Sequence, residues 1–487
     1  MSARPISRRA FLRQANCAAV GSASVLNTLL NLRLAEALAV TDAPASKTLV
    51  CLFLNGGCDT FNLLVPWETT RYNAYALSRG AYGTEGGLAL DRNALLQLAA
   101  PAADFGLHPS CPKLHQMATG TGAFAGTKRL SFLANVGTLV QPVTKAQFNA
   151  WEAGQNAALP LPRALFSHID QVEQWQTAVP QGQAQLTGWA GRAADILHAS
   201  NNTGPSAMNI AFGGNSTFQI GAETEQFVVA PSGALTFTGH SGGAGNNPLL
   251  LKNAALRSTL EQQYTNLLTE SFARLTKSGD DAQLHFQSLF DSPAADLGPS
   301  VNALFPGGDL SNSLRAAVKT IKIRAELGLT RQTLFINHTG WDHHGELLVT
   351  QANMLATLDA AVGAYQRALE MLGLAGEVVT FTASDFGRTL RSNGRGSDHA
   401  WGGNALVFGG PVDGGKLFGT FPDLALDGPD DVGHGGRLLP STPVDLLFAE
   451  LLRWFGVPAG SMSYVLPNIA NFWDPNSVTP PLGFLTA

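Results

Sequence analysis

The chain has 487 residues, 45% of them apolar and 14% charged, which describes a globular protein with ample core and excludes a disordered or fibrous one. Its formal charge is −5, and since the first 39 residues hold five Arg against one Glu, the remainder carries about −9. No basic stripe offsets that acidity, which argues against a nucleic-acid surface.

In chain order, Ser7-Arg8-Arg9-Ala10-Phe11-Leu12-Arg13 resembles the twin-arginine export motif. A weakly apolar run over 18–32 follows, then Ala37-Leu38-Ala39, an A-x-A cleavage pattern. Together they predict a signal peptide over 1–39, the twin-arginine translocase as a transient partner, and a periplasmic or secreted mature chain. The run is too short and too polar to span a bilayer. No later stretch reaches ~18 apolar residues without a charge, so no permanent membrane anchor is expected. The mature part keeps Cys51, Cys58 and Cys111, which an oxidising compartment permits to form one disulfide and leave one thiol.

Five near-continuous apolar runs, 48–54, 129–136, 332–337, 377–382 and 404–408, read as strands covered on both faces. Helical stretches at 313–327, 348–372 and 444–455 lie between and after them. The alternation predicts an α/β fold with a mostly parallel sheet and helices on both faces. Residues 40–487 read as a single domain. Gly-, Ser- and Thr-rich alternation over 205–245 predicts a β-rich insertion that helices continue to about 292.

In an open parallel sheet, ligands bind beyond the carboxyl ends of the strands. Ionisable residues follow several of these ends: Asp59 after the first, Asp342, His343 and His344 after the third, Asp385 after the fourth, with Asp398-His399 between the fourth and fifth. An Asp after a strand is usually a cap or turn residue, but several converging on one edge point to a divalent metal. Mixed carboxylate and imidazole suit Zn²⁺, Mn²⁺ or Fe²⁺ better than Mg²⁺. Ser167 precedes a plausible helix whose N-terminal amides favour an anion; it is read either as a nucleophile or as a plain cap. Arg388 is read as an anion partner, because its planar fork fits paired oxygens, or as one half of an ion pair. His108 reads as a buried, hydrogen-bonded histidine, and the His434 loop as a segment able to close over the site.

Several motifs resemble the exported bacterial family known as domain of unknown function 1501, within the alkaline-phosphatase and sulfatase-like superfamily. They are Leu-Asn-Gly-Gly-Cys-Asp-Thr-Phe-Asn (54–62), Leu107-His108-Pro109, Leu165-Phe166-Ser167-His168-Ile169-Asp170-Gln171, Gly-Trp-Asp-His-His (340–344), Ser-Asp-Phe-Gly-Arg-Thr (384–389), Asp-His-Ala-Trp-Gly-Gly (398–403) and Arg-Leu-Leu-Pro-Ser-Thr-Pro-Val-Asp (437–445). The resemblance implies an alkaline-phosphatase-like fold with two metal sites flanking a nucleophile. Asp59 and Asp385 would belong to the first site, and Asp342, His344 and His399 to the second. One position departs: Phe386 stands where the superfamily has a ligating His. Either Asp398 or another residue substitutes, or a single ion binds, or the chemistry has been lost. The expectation is a hydrolase of small anionic phosphate or sulfate esters; the alternative is a non-catalytic metal- or anion-binding protein that retains the fold.

Overall fold

The first apolar run forms strand β1 (Lys47–Asn55). Its side chains alternate between two cores, as a strand requires: Val50, Leu52 and Leu54 enter one, while Leu49, Cys51 and Phe53 enter the other. The computed structural model describes residues 46–182, 185–203, 206–234 and 248–486. The expected signal segment at 1–39 and part of the expected β-rich stretch, 205 and 235–245, lie outside the described residues.

The remaining strands of the central sheet are β2 (Leu130–Gly137), β3 (Asn209–Ala211), β4 (Gln226–Ala230), β5 (Gly233–Ala234), β6 (Arg331–Thr339), β7 (Val378–Ser384), β8 (Gly403–Gly409), β9 (Leu417–Phe418) and β10 (Thr442–Pro443). Their order is β9-β2-β8-β7-β1-β6-β3-β4-β5, with β10 also on β2. β1 runs parallel to β6, with Asn55 opposite Thr339, and parallel to β7, with Leu54 opposite Ser384. The carboxyl ends of all three therefore finish level. β8 is antiparallel to both β7 and β2, so it begins at the edge where its neighbours end. The strands of the expected β-rich stretch do not form a sheet of their own: β3 pairs in parallel with β6, and β4 with β3, which extends the main sheet.

The longer helices include α1 (Thr69–Ser78), α2 (His168–Thr177), α3 (Trp189–Asn201), α4 (Leu267–Phe290), α5 (Asp309–Lys322), α6 (Leu347–Met371) and α7 (Val444–Phe455). α5 and α6 cover one face of the sheet through Leu314, Val318, Ile321, Leu355, Leu358, Val362 and Tyr365. α3 and α7 cover the other through Trp189, Ala193, Leu447, Phe448 and Leu451. Both faces are thus buried, the physical reason that the strand sequences are apolar throughout. α6 is long and apolar enough to cross a membrane by length and composition, yet those same side chains seat it in the core. Cys51, Cys58 and Cys111 are buried free thiols. Burial pushes the Cys58 thiol well up, and the neighbouring Asp59 adds to the shift, which makes it a small core residue and not a reactive one.

Candidate metal centre

Three loops meet at the level edge of β1, β6 and β7, and glycine lets them pack. Gly56, at φ +124°, lies so close to the next loop that an added Cβ would stand 2.6 Å from Asp342 N; at Gly57 it would stand 2.5 Å from the Phe386 ring. A side chain at either position would drive the Asp342 loop and the Phe386 loop apart. The antiparallel β8 delivers the fourth segment. Arg388 and His399 face each other across an isolated antiparallel bridge, and Thr389 N–H donates to the Asp398 carbonyl at 3.0 Å.

This packing gathers three imidazoles around one carboxylate. His344 Nε2 lies 2.9 Å from His399 Nε2, and His168 Nε2 lies 3.1 Å from it. Asp342 reaches all three rings: Oδ1 is 3.0 Å from His344 Nε2 and 3.6 Å from His399 Nε2, and Oδ2 is 3.5 Å from His168 Nε2. The opposite nitrogen of each ring is tied to an acceptor. His168 Nδ1 meets Asp385 Oδ2 at 2.7 Å, His344 Nδ1 meets Asp398 Oδ1 at 3.0 Å, and His399 Nδ1 meets the Phe166 carbonyl at 2.7 Å. An acceptor there draws the ring proton onto Nδ1 and leaves a lone pair on Nε2. Such outer acceptors are what orient metal-binding histidines. Donors around a tetrahedral Zn²⁺ stand about 3.3 Å apart when each bond is ~2.0–2.1 Å, so the observed spacing fits the ion. His168, Asp342 and His399 offer donor atoms all within 4.8 Å of one another.

Of the residues expected at the site, Asp342, His344, Asp398 and His399 come together, and Asp385 joins them as the acceptor behind His168. Asp59 does not. Its carboxylate is fully buried in an ion pair with the equally buried Arg79, the residue that ends α1. Ser167 caps α2, but its hydroxyl donates to Asp170 Oδ2 at 2.6 Å and makes no contact with the imidazole group. Arg388 is drawn inward rather than offered to a ligand: it donates to the carbonyls of Gly57 at 2.7 Å and Ser397 at 3.0 Å, and to Gly56 and the Asp342 carboxylate. With a side chain of 0% exposure, it is a clamp that locks the loops after β1 and β6 to the hairpin before β8. Phe386 is buried, and its ring centroid lies 4.7 Å from both His168 and His399, an apolar wall behind two imidazoles.

His168 is the residue that the strand-end argument did not reach. It enters from the N-terminus of α2, whereas the argument followed only segments bordering strands. The signal was its place beside Ser167 in a run already singled out for an anionic group.

Electrostatics keep the group poised. Burial pushes the Asp342 carboxyl up, but the hydrogen bond and charge of Arg388 outweigh it and hold the carboxyl below its ordinary value. The Asn393 hydrogen bond, against partial burial and with help from His344, holds Asp398 low as well. Burial lowers His399, and the charge of Arg388 adds to it against the Phe166 hydrogen bond. A lowered imidazole stays neutral, and able to ligate, to more acid pH. His108 is pushed down to about 4 by burial and accepts from Ser110 N–H at 3.0 Å, a core histidine as expected. Beside Asp398 opens a cleft of about 360 Å³ lined by Thr389, Arg391, Ser392, Asp427, Asp431 and His434. The His434 loop forms its far wall, pinned by Arg391 N–H donating to the Gly435 carbonyl at 2.8 Å.

A family model described as "Protein of unknown function (DUF1501)" matches residues 46–439. The chain belongs to that family. No curated protein matches it. Among solved structures, it is similar to Ps i-CgsB in complex with k-i-k-neocarrahexaose, with 10% identity over 87% of this chain and 72% of that one and a TM-score of 0.30. It is likewise similar to the PsFucS1 sulfatase from Pseudoalteromonas sp., with 10% identity over 88% of this chain and 71% of that one and a TM-score of 0.31.

Proposed function

We propose that this DUF1501 chain is a metal-dependent hydrolase of phosphate or sulfate esters, exported by the twin-arginine route to act in the periplasm or outside the cell. One observation carries the reading: three Nε2 atoms converge beside the Asp342 carboxylate while every Nδ1 faces an acceptor. Lone pairs about 3 Å apart repel one another unless a cation stands among them. His168, Asp342 and His399 would hold that cation, with His344 beside them. Zn²⁺ suits the set best, and Mn²⁺ or Fe²⁺ share its preferences. A single ion fits better than two, since Asp59 is neutralised by Arg79, Asp385 serves His168, and Phe386 offers no donor. Twin-arginine substrates cross the membrane folded, which allows the ion to be inserted before export.

When bound, the ion would polarise the ester and neutralise charge that builds on its oxygens. The chain's own residues do the rest. Arg388 fixes the three loops and keeps Asp342 ionised. His344, with a side chain 44% exposed against 25% for His399, is the imidazole most open to a substrate. Backed by Asp398, it is placed to exchange a proton with the leaving oxygen at Nε2. Arg391, whose exposed side chain has no hydrogen-bond or ion-pair partner among the described residues, offers the cleft a free guanidinium for the substrate's anionic group. The test is element analysis of the purified mature chain together with turnover on a panel of sulfate and phosphate esters. Near-stoichiometric metal and turnover are expected; metal-free protein without turnover would overturn the reading.

A second reading is favoured by one feature. The Ser167 hydroxyl is held by Asp170, and the Arg388 guanidinium is taken up by carbonyls, by the Asp342 carboxylate and by His344 Nε2 at 3.4 Å, so neither the expected nucleophile nor the expected anion partner is free to meet a substrate. A chain that binds metal or anions without turnover accounts for that. It predicts stoichiometric metal and an inert ester panel.

A further inference from the structure

The segment that leads into α2 carries two non-glycine residues in the left-handed region, Ala164 at φ 45° and Phe166 at φ 72°. For a bulky residue that conformation is strained, and it persists only where the surroundings over-determine it. Phe166 is held on every side. Its N–H donates to Gln171 Oε1 at 2.6 Å, and its carbonyl accepts from His399 Nδ1 at 2.7 Å. Its ring packs edge-on against Trp401 at 6.5 Å, and the Arg437 guanidinium covers it at 3.9 Å. Arg437 Nε in turn donates to the His399 carbonyl at 3.0 Å. Residue 399 is therefore gripped twice, at its backbone by Arg437 and at its ring by Phe166.

The two grips differ in kind from those on the other imidazoles. His168 and His344 face carboxylates, which can share a proton with the ring. A peptide carbonyl has no proton to share and is an acceptor alone. Facing it, His399 has to carry a proton on Nδ1, and the neutral ring then keeps Nε2 as a lone pair. A relaxed backbone at Phe166 would rotate the adjoining peptide and withdraw that acceptor.

We propose that Phe166 and Arg437 are positioning residues that set the tautomer and orientation of His399, with the strain at Phe166 maintained by the Arg437 stack. The role in ligation rests on the metal-centre reading above; the tautomer itself does not. The experiment uses the full mature chain labelled with ¹⁵N-histidine, with His399 assigned by loss of its signals in His399→Asn. Long-range ¹H–¹⁵N correlations read the tautomer, and Co²⁺ titration reads affinity and the visible band of the bound ion.

Wild type is expected to show His399 in the Nδ1–H form. Arg437→Gln should mix the two tautomers, weaken Co²⁺ binding by roughly 10–100-fold, as loss of an outer partner does, and alter the visible band. Arg437→Lys should not restore the wild-type pattern, because an ammonium lacks the planar face that stacks. Phe166→Gly, which suits the left-handed backbone but lacks the ring, should fall between. Arg437 is half-buried, so its variants remain informative should Phe166→Gly fail to fold. A His399 tautomer unchanged in both Arg437→Gln and Phe166→Gly would overturn the proposal. A wild type that holds the Nδ1–H form but binds no Co²⁺ would instead sink the metal reading and leave the clamp standing.

Discussion

Two sets of charged side chains descend from the same sheet edge and have opposite characters. His168, His344, His399 and Asp342 are partly exposed, with side chains 25–46% open, and their donor atoms converge. Asp59 and Arg79 are sealed at 0% exposure and neutralise each other's charge. His343, between Asp342 and His344 in sequence, is buried. The contrast shows that ionisable residues at a strand end are not a site until geometry leaves their donor atoms unclaimed. In the open set the claims on the imidazoles fall mainly on the far nitrogens, and Arg388 engages one Asp342 oxygen and the edge of His344; in the sealed set the charges themselves are claimed.

The largest effect should come from breaking the open set at its centre. His399→Ala is expected to abolish stoichiometric metal and any metal-dependent turnover while the fold survives, as followed by element analysis and circular dichroism. The sealed set should fail in the other way. Asp59→Asn leaves a buried guanidinium without its counter-charge, which costs about 3–5 kcal/mol. Denaturant unfolding should show that loss while the folded fraction keeps its metal; a variant of unchanged stability that loses metal would move Asp59 into the centre.

Asp445 sharpens the comparison, as a buried carboxylate without so close a cation. Burial pushes its carboxyl up to about 7, which the charge of Arg192 offsets only in part. An unfolded aspartate titrates near ~4, so the folded chain keeps a proton that the unfolded chain releases. Stability from this group is full below ~4 and is lost as pH rises towards 7. Asp445→Asn removes that dependence. Its unfolding free energy should gain on wild type progressively from pH ~4 to pH ~7 and then level off, by a few kcal/mol at most; a constant difference would refute the assignment.

Smaller effects belong at the rim of the open set. Asp398→Ala removes the acceptor behind His344 and should weaken metal binding by about 10-fold, the low end for an outer partner, since in the proposed site His344 lies beside the ion and not at its centre. Chelator competition measures it, with the His399→Ala protein as the lower reference. Arg391→Gln should raise KM by roughly 10-fold with kcat and metal content little changed, the size expected for one exposed charge-assisted hydrogen bond. A change in kcat alone would mean that Arg391 does not meet the substrate's anion.

The fold was largely legible because both faces of the sheet are buried, and that burial writes itself as apolar runs. All five expected strands form, each within two residues of its expected ends, and 444–455 matches α7 as expected. Three short strands, β3, β4 and β5, were read as a separate insertion because few residues carry their pattern. Their parallel pairing onto β6 is a matter of long-range register, which local sequence does not encode.

The centre was legible by halves. Asp342, His344, Asp398 and His399 could be named from sequence because each stands next to a strand, and strands bring their ends to one edge. His399 arrives there for a reason the sequence hid: it precedes a strand that runs opposite to its neighbours, so an amino end supplies what carboxyl ends usually do. His168 comes from a helix N-terminus more than 170 residues from Asp342, and only packing brings it within 3.5 Å of that carboxylate. Asp59 and Arg388 have the residue types of a ligand and an anion clamp, yet Arg79 and a ring of carbonyls engage them first. Sequence by itself determined that Asp and His side chains cluster at the strand ends. Tertiary structure decided which of them remain unclaimed, because a charge or lone pair is available to a ligand only where no neighbour in the folded chain already satisfies it.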